Sequence, residues 1–152
     1  MSNITFEYVT YIAATPEKLW EALTNGDYTK QYWFGHKIQS EWVEGSPVVF
    51  LDQSGNIVDK GQVLSYEPNR LLTYTFEWVQ DKTERKVSPI VTFRLRQMDS
   101  FVKLSLKHER LLPSDIYEEN DNYQGINNGW PAILSNLKSL LETGRTLSSI
   151  TV

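Results

Sequence analysis

GWPAILSNLKSLLETG, residues Gly129 to Gly144, places Trp130, Ile133, Leu134, Leu137, Leu140 and Leu141 at the spacing that lines one face of an α-helix. Asn136, Lys138, Ser139 and Glu142 fall off that stripe. Pro131 suits the first helical turn, where its missing N–H is one of the groups left unpaired anyway, and Gly144 suits the left-handed residue that ends a helix. An earlier start, from about Asn120, would instead make Pro131 a bend. Burying these large apolar side chains at ~1.5–3 kcal/mol each gives on the order of 10 kcal/mol, comparable to the net stability of a domain. The helix therefore belongs to the core, and the question is what lies against it.

The chain has 152 residues, enough for one domain, and residues 1–152 are read as such. Fifteen basic and nineteen acidic residues leave a net charge of −4, without a Lys/Arg run of the kind that tracks a phosphate backbone, so nucleic acid is not an expected partner. There is no cysteine, so disulfide and thiolate chemistry are absent. The N-terminal residues lack a signal-peptide pattern and no apolar run approaches the ~20 residues of a membrane span, so a soluble, cytoplasmic protein without membrane insertion is expected. Five Trp, eight Tyr and six Phe stand out, because such residues dominate both cores and apolar binding sites.

Ile4 to Ala13 reads as a strand. Thr15-Pro16-Glu17 then starts a short helix carrying Leu19, Trp20 and Leu23, and Asn25-Gly26 stops it. Asp27 is placed to cap a second helix through Tyr32, Trp33 and Phe34 to Gly35. From Lys37 to His108 the pattern becomes antiparallel strands broken at Glu44-Gly45, Ser54-Gly55-Asn56, Glu67-Pro68-Asn69 and Met98-Asp99-Ser100. Val79 to Pro89 reads as a polar loop, and Leu112 to Gly129 as an acidic, Asn-rich connection. Within Leu71 to Trp78, one face holds Leu72, Tyr74, Phe76 and Trp78; Val91, Phe93 and Leu95 share another, and Val102, Leu104, Leu106 and His108 a third. A turn at Asp99-Ser100 pairs Leu95 with Leu104, Phe93 with Leu106 and Val91 with His108. One side of this sheet is apolar and aromatic, and the long helix is its natural cover.

This order, with YIAATPEKLWEALTNGDYTKQYWFG (Tyr11 to Gly35), EWVEGSPVVF (Glu41 to Phe50), GQVLSYEPNRLLTYTFEW (Gly61 to Trp78), VTFRL (Val91 to Leu95) and the closing helix, resembles the activator of heat-shock protein 90 ATPase homologue-like branch of the START-like (SRPBCC), birch-pollen-allergen-like superfamily. The resemblance covers nearly the whole chain. It implies an α+β helix-grip fold: a curved antiparallel sheet wrapped around a long C-terminal helix, with two short helices after the first strand and a six-strand meander. It also implies a cavity between helix and sheet that holds lipids, sterols, polyketides or flavonoid-like molecules. Eukaryotic co-chaperones of this branch carry an additional N-terminal domain, whereas this sequence opens at the first START-like strand, so chaperone activation is not the leading expectation.

Ligand contacts are expected from Trp33, Phe34, Phe50, Tyr74, Phe76, Trp78, Phe93, His108, Trp130, Ile133, Leu134 and Leu137, although the same aromatic row could simply fill a core. His36, His108, Glu77 and Glu109, with Tyr66 and Tyr74, are the polar groups on or near that side. His108 is read either as a group that orients a ligand or as a histidine satisfied at the sheet edge near Glu109. Two histidines with no H-x-x-x-H or cysteine pair supply no metal site, and no cofactor motif, nucleophile elbow or phosphate loop is present, so no catalytic residues are assigned. Arg94, Arg96, Lys103 and Lys107 form a basic stripe on the outer face of a hairpin, with Arg96 opposite Lys103, which is either a solvated face or a surface for an acidic protein. Binding of a small hydrophobic or amphipathic molecule is the leading reading. A co-chaperone-like or stress-related interaction module is the alternative, and a cyclase- or hydratase-like enzyme a weaker one.

Overall fold

Period-two alternation and Gly-centred turns build eight strands: β1 (Ile4–Ile12), β2 (Lys37–Ser40), β3 (Pro47–Leu51), β4 (Ile57–Glu67), β5 (Leu71–Thr75), β6 (Glu77–Trp78), β7 (Ile90–Gln97) and β8 (Val102–Leu111). The computed structural model describes residues 3–147; residues 1–2 and 148–152 of the expected 1–152 domain lie outside the described residues. The sheet is antiparallel in the order β1-β8-β7-β5-β4-β3-β2, with β6 joined to β4. Register shifts in β1, β3 and β4 add local twist and bend the strands. The helix-grip architecture expected from the sequence is what the chain adopts, and no described helix is long and apolar enough to cross a membrane.

Two short helices follow β1. In α1 (Pro16–Thr24), the Thr15 hydroxyl accepts from the amide of Lys18 at 3.1 Å. The second helix, α2 (Gly26–Tyr32), differs from expectation at both ends. Asn25, not Asp27, caps it, its side chain accepting from the amide of Asp27 at 2.9 Å. The helix stops at Tyr32 because Phe34 (φ 51°) and Gly35 (φ 79°) turn left-handed and reverse the chain.

The expected single strand from Leu71 to Trp78 is divided at Phe76, giving seven strands after α2 instead of six. The cause is a close approach: a Cβ on Gly61 would sit 1.7 Å from the carbonyl oxygen of Thr75. There the amide of Gln62 bonds to the Thr75 hydroxyl at 2.9 Å, and Phe76 donates to the carbonyl of Pro89 at 2.9 Å. Below this point β6 pairs with Asp59 and Lys60, and the inward parity of Leu72, Tyr74 and Phe76 survives. The β7–β8 register is as expected, Val91 with His108, Phe93 with Leu106, Leu95 with Leu104 and Arg96 with Lys103. Because β8 runs between β1 and β7, His108 lies on an interior strand, which corrects its placement at a sheet edge.

The long helix, α3 (Ile126–Thr143), begins earlier than Gly129, so Pro131 sits in its second turn and denies the Asn127 carbonyl its helical N–H. Trp130, Ile133, Leu134, Leu137 and Leu140 are buried against the sheet and Leu141 partly so. Asn136, expected off the stripe, is buried as well: its amide donates to the carbonyl of Tyr32 at 3.4 Å and its oxygen accepts from the amide of Leu147 at 2.6 Å. The far end of α3 is tied to β1, where Glu142 accepts from the amide of Ala13 at 2.8 Å and Lys138 donates to the carbonyl of Tyr11.

Substituting Gly61→Ala is expected to destabilise the fold by ~1–3 kcal/mol, the range for forcing extra atoms into a packed site. Urea unfolding should show a lower midpoint at an unchanged slope. An unaltered midpoint would contradict the close passage of β4 and β5.

Candidate functional site

The left-handed pair Phe34-Gly35 brings the end of α2 back over the sheet. Trp33 then packs 4.9 Å from Phe50 and 5.2 Å from Trp130, between ring centroids. Beside this cluster, α3, the α2–β2 corner, β4, β6, β8 and the two loops 79–89 and 112–125 border an open-mouthed cavity of about 510 Å³. Trp33, Phe34, Phe76, Trp78, His108, Trp130 and Ile133 line it, seven of the residues anticipated for ligand contact. Phe50, Tyr74, Phe93, Leu134 and Leu137 do not; they are buried in the packed core.

His108 is 0 % exposed, and its Nδ1 accepts from the indole Nε1–H of Trp130 at 2.9 Å. An indole nitrogen only donates, so Nδ1 must offer a lone pair and the proton of the neutral ring sits on Nε2. Burial holds the imidazole neutral, its pKa lowered to about 3. Among the described residues Nε2 has no hydrogen-bond partner. The ring is fixed by aromatic neighbours, with Trp78 stacked at 5.9 Å and Phe76 edge-on at 5.8 Å.

Sequence reasoning passed over the acidic part of the wall. Asp59 on β4 is 7 % exposed, flanked across the strands by Phe50 and Trp78, and burial raises its pKa to about 7. His36 Nδ1 stands 4.0 Å from Asp59 Oδ2, beyond hydrogen-bond reach, with burial lowering the imidazole's pKa against the opposing pull of Asp52. At the mouth, Arg85 grips Asp115 through two bonds of 2.9 and 2.7 Å, bonds Asp81 at 2.9 Å and lies 5.0 Å over the Trp78 ring. The connection 112–125 is held by Asn127, whose side chain pairs with both the amide (3.0 Å) and the carbonyl (2.8 Å) of Tyr117. The cue for Asp59 was its parity with Val63, the buried residue of β4, while the apolar Ile57 and Leu64 face outward.

This arrangement can hold an apolar body among indole and phenyl rings while offering a neutral N–H donor and a shielded carboxylate. Comparison with known proteins agrees on the framework. Residues 13–142 match the family described as Activator of Hsp90 ATPase homolog 1-like protein. A Mesorhizobium loti protein of known structure is 26% identical, covering 91% of this chain and 97% of its own, with a TM-score of 0.74. The Aha1 dimer from Colwellia psychrerythraea is 23% identical (93% and 98% covered, TM-score 0.70), and an Hsp90 activator from Plasmodium falciparum 20% identical (90% and 95%, TM-score 0.69). No curated protein matches the chain.

The two buried groups act on acid stability with opposite sign. With a folded pKa of about 3, His108 refuses a proton that the unfolded chain takes up below 6.5, so its contribution to stability falls as pH drops. Asp59, at about 7 when folded and 3.8 otherwise, binds a proton in the folded state first, so its contribution falls as pH rises through 7. Asp59→Asn removes the second effect. Between about pH 4 and 6.5 its stability should rise with pH more steeply than the wild type's, by about 1 kcal/mol per pH unit. Chemical denaturation across that range checks it, and identical slopes would refute the buried placement of Asp59.

Proposed function

The chain belongs to the Activator of Hsp90 ATPase homolog 1-like family, and from that premise we propose that it is a cytoplasmic binder of a small amphipathic molecule, held in the cavity between α3 and the sheet. The ligand's apolar body lies against Trp33, Phe76, Trp78, Trp130 and Ile133, and an acceptor oxygen takes the Nε2–H of His108. The observation that carries this reading is the coincidence of a 510 Å³ aromatic cavity with a fully buried donor lacking an acceptor among the described residues. Pockets for drug-sized molecules span roughly 300–1,000 Å³, and an unpaired buried donor costs ~1–3 kcal/mol until something accepts from it.

Gly129 supports the same reading. It lies inside α3, where glycine is ~1 kcal/mol worse than alanine, and it lines the cavity. No positive φ requires it, and an added Cβ would meet only the Tyr123 carbonyl oxygen, at 3.5 Å. Its missing side chain leaves space beside Trp130.

A protein-interaction role is the second reading, favoured by the outer hairpin face. Arg96 stands directly opposite Lys103, and neither they nor Arg94 form an ion pair among the described residues, while Lys107 reaches only Glu109, at 3.8 Å. If this stripe meets an acidic chaperone surface, adding the protein to an Hsp90-type chaperone should change its ATPase rate, and reversing Arg94 and Arg96 to Glu should abolish the effect. An unchanged rate removes this reading.

For the cavity, a ligand of ~25 heavy atoms at ~0.3 kcal/mol per atom binds near the micromolar range. Fluorescence titration with flavonoids, fatty acids, sterols and polyketides, read on Trp33, Trp78 and Trp130, is expected to find such a ligand. Gly129→Leu should then weaken it about tenfold or more, while Gly129→Ala should raise the melting temperature, and the outward-facing Val9→Ala should change neither. Failure of the whole panel, or equal affinity in Gly129→Leu, would refute the cavity reading.

A further inference from the structure

Three carboxylates line the cavity, and only one is unanswered. Asp81 and Asp115 share the guanidinium of Arg85. Asp59 receives no hydrogen bond from any described residue, and its cross-strand neighbours are Phe50 and Trp78. The polar groups around it are just as unfulfilled: His36 Nδ1, 4.0 Å away, and the phenolic oxygen of Tyr74 are both buried and without partners among the described residues. A carboxylate held in an apolar wall is costly unless a cation or donor reaches it. The residues lining the cavity include no lysine or arginine, and the adjacent Arg85 is already committed.

We propose that the cavity selects a cationic aromatic amine, whose ammonium pairs with Asp59 and whose ring lies among Trp33, Phe76, Trp78 and Trp130, and that it rejects ligands carrying a carboxylate. This rests on the ligand-binding reading and adds the charge that the ligand must bear. An uncharged part of the wall fits the same choice. His108 stays neutral, because its Nδ1 must accept from Trp130, so it adds no positive charge against an ammonium.

Pairing requires Asp59 to be ionised, so affinity for an amine rises with pH while the amine, with a pKa near that of lysine at ~10.4, keeps its charge. The charged and titratable groups facing Asp59 act in the same direction or not at all. His36, from the corner after α2, repels an ammonium only when acid has protonated it, and Asp52 beside it is a carboxylate. Tyr74 on β5 stays protonated, since burial raises its pKa. At the mouth, Asp81, Asp115 and Arg85 carry a net negative charge.

The test uses the full chain and three probes that share one ring system and one ether oxygen able to accept from His108: 2-(1-naphthyloxy)ethylamine, 2-(1-naphthyloxy)ethanol and the carboxylate of 1-naphthyloxyacetic acid, titrated calorimetrically. At about pH 7.5 the amine should bind about tenfold tighter than the alcohol, with the carboxylate weakest, and the amine's advantage should shrink by about pH 5.5. Asp59→Asn should keep the alcohol's affinity and lose the preference for the amine. If that variant fails to fold, the pH dependence in the wild-type protein decides. Equal binding of amine and alcohol, or a carboxylate that binds as tightly as the amine, overturns the charge assignment and leaves the cavity reading intact. No binding by any of the three overturns both.

Discussion

In the apolar interior, one buried side-chain hydrogen bond joins α3 to the sheet: the indole N–H of Trp130 to Nδ1 of His108, at 2.9 Å. In such surroundings an unpaired indole N–H is costly, and its acceptor is the neutral imidazole of His108, the buried polar residue of β8. The bond therefore fixes how α3 is rotated and how far it slides along the sheet. It dictates the histidine tautomer. Trp33 and Phe93 close on Trp130 edge-first at 5.2 and 5.8 Å, so the α2 corner inherits its position from the same contact.

The rim of the cavity depends on a second polar device, centred on Arg85 of the 79–89 loop. Arg85 lies over Trp78 and holds Asp81 on its own loop and Asp115 on the next, while Asp115 also accepts from the amide of Leu112 at 2.8 Å. Exposed ion pairs contribute little, but this guanidinium is largely covered, bidentate and stacked, the geometry in which arginine is most effective. Two connections, the second with only a 3-10 turn at Pro113–Asp115, are thereby made into a wall. Asn127 completes it from the helix side, copying a strand's pair of bonds to Tyr117 with a side-chain amide.

The parts of this architecture readable from sequence are those set by neighbours along the chain. The stripe of α3, the Thr15 cap and the β7–β8 register all follow from local spacing, and the family resemblance carried the rest of the topology. What escaped depends on approaches between distant segments. Asn136 looks like a surface residue until Tyr32 and Leu147 arrive on either side. The division of β5 from β6 needs Gly61 to pass against Thr75. Asp59 was hidden because β4 inverts the usual pattern, with a carboxylate inward and Ile57 and Leu64 outward. Of the residues singled out for ligand contact, Trp130 and Ile133 reach the wall while Leu134 and Leu137, one turn on, stay in the core, and Phe76 reaches it while Tyr74, two residues earlier, does not, a distinction that hydrophobic periodicity does not carry.

The bonds between the far end of α3 and β1, from Glu142 to Ala13 and from Lys138 to Tyr11, span well over a hundred residues of chain. Such contacts form late, since ordering everything between them precedes any return, and topologies dominated by them fold slowly. During synthesis the concave face of the sheet, with its rows of phenyl and indole groups, has no cover until residues 126–143 leave the ribosome. For that interval the nascent chain displays the kind of surface that chaperones capture and aggregates propagate from. A truncation within the last helix would make that exposure permanent.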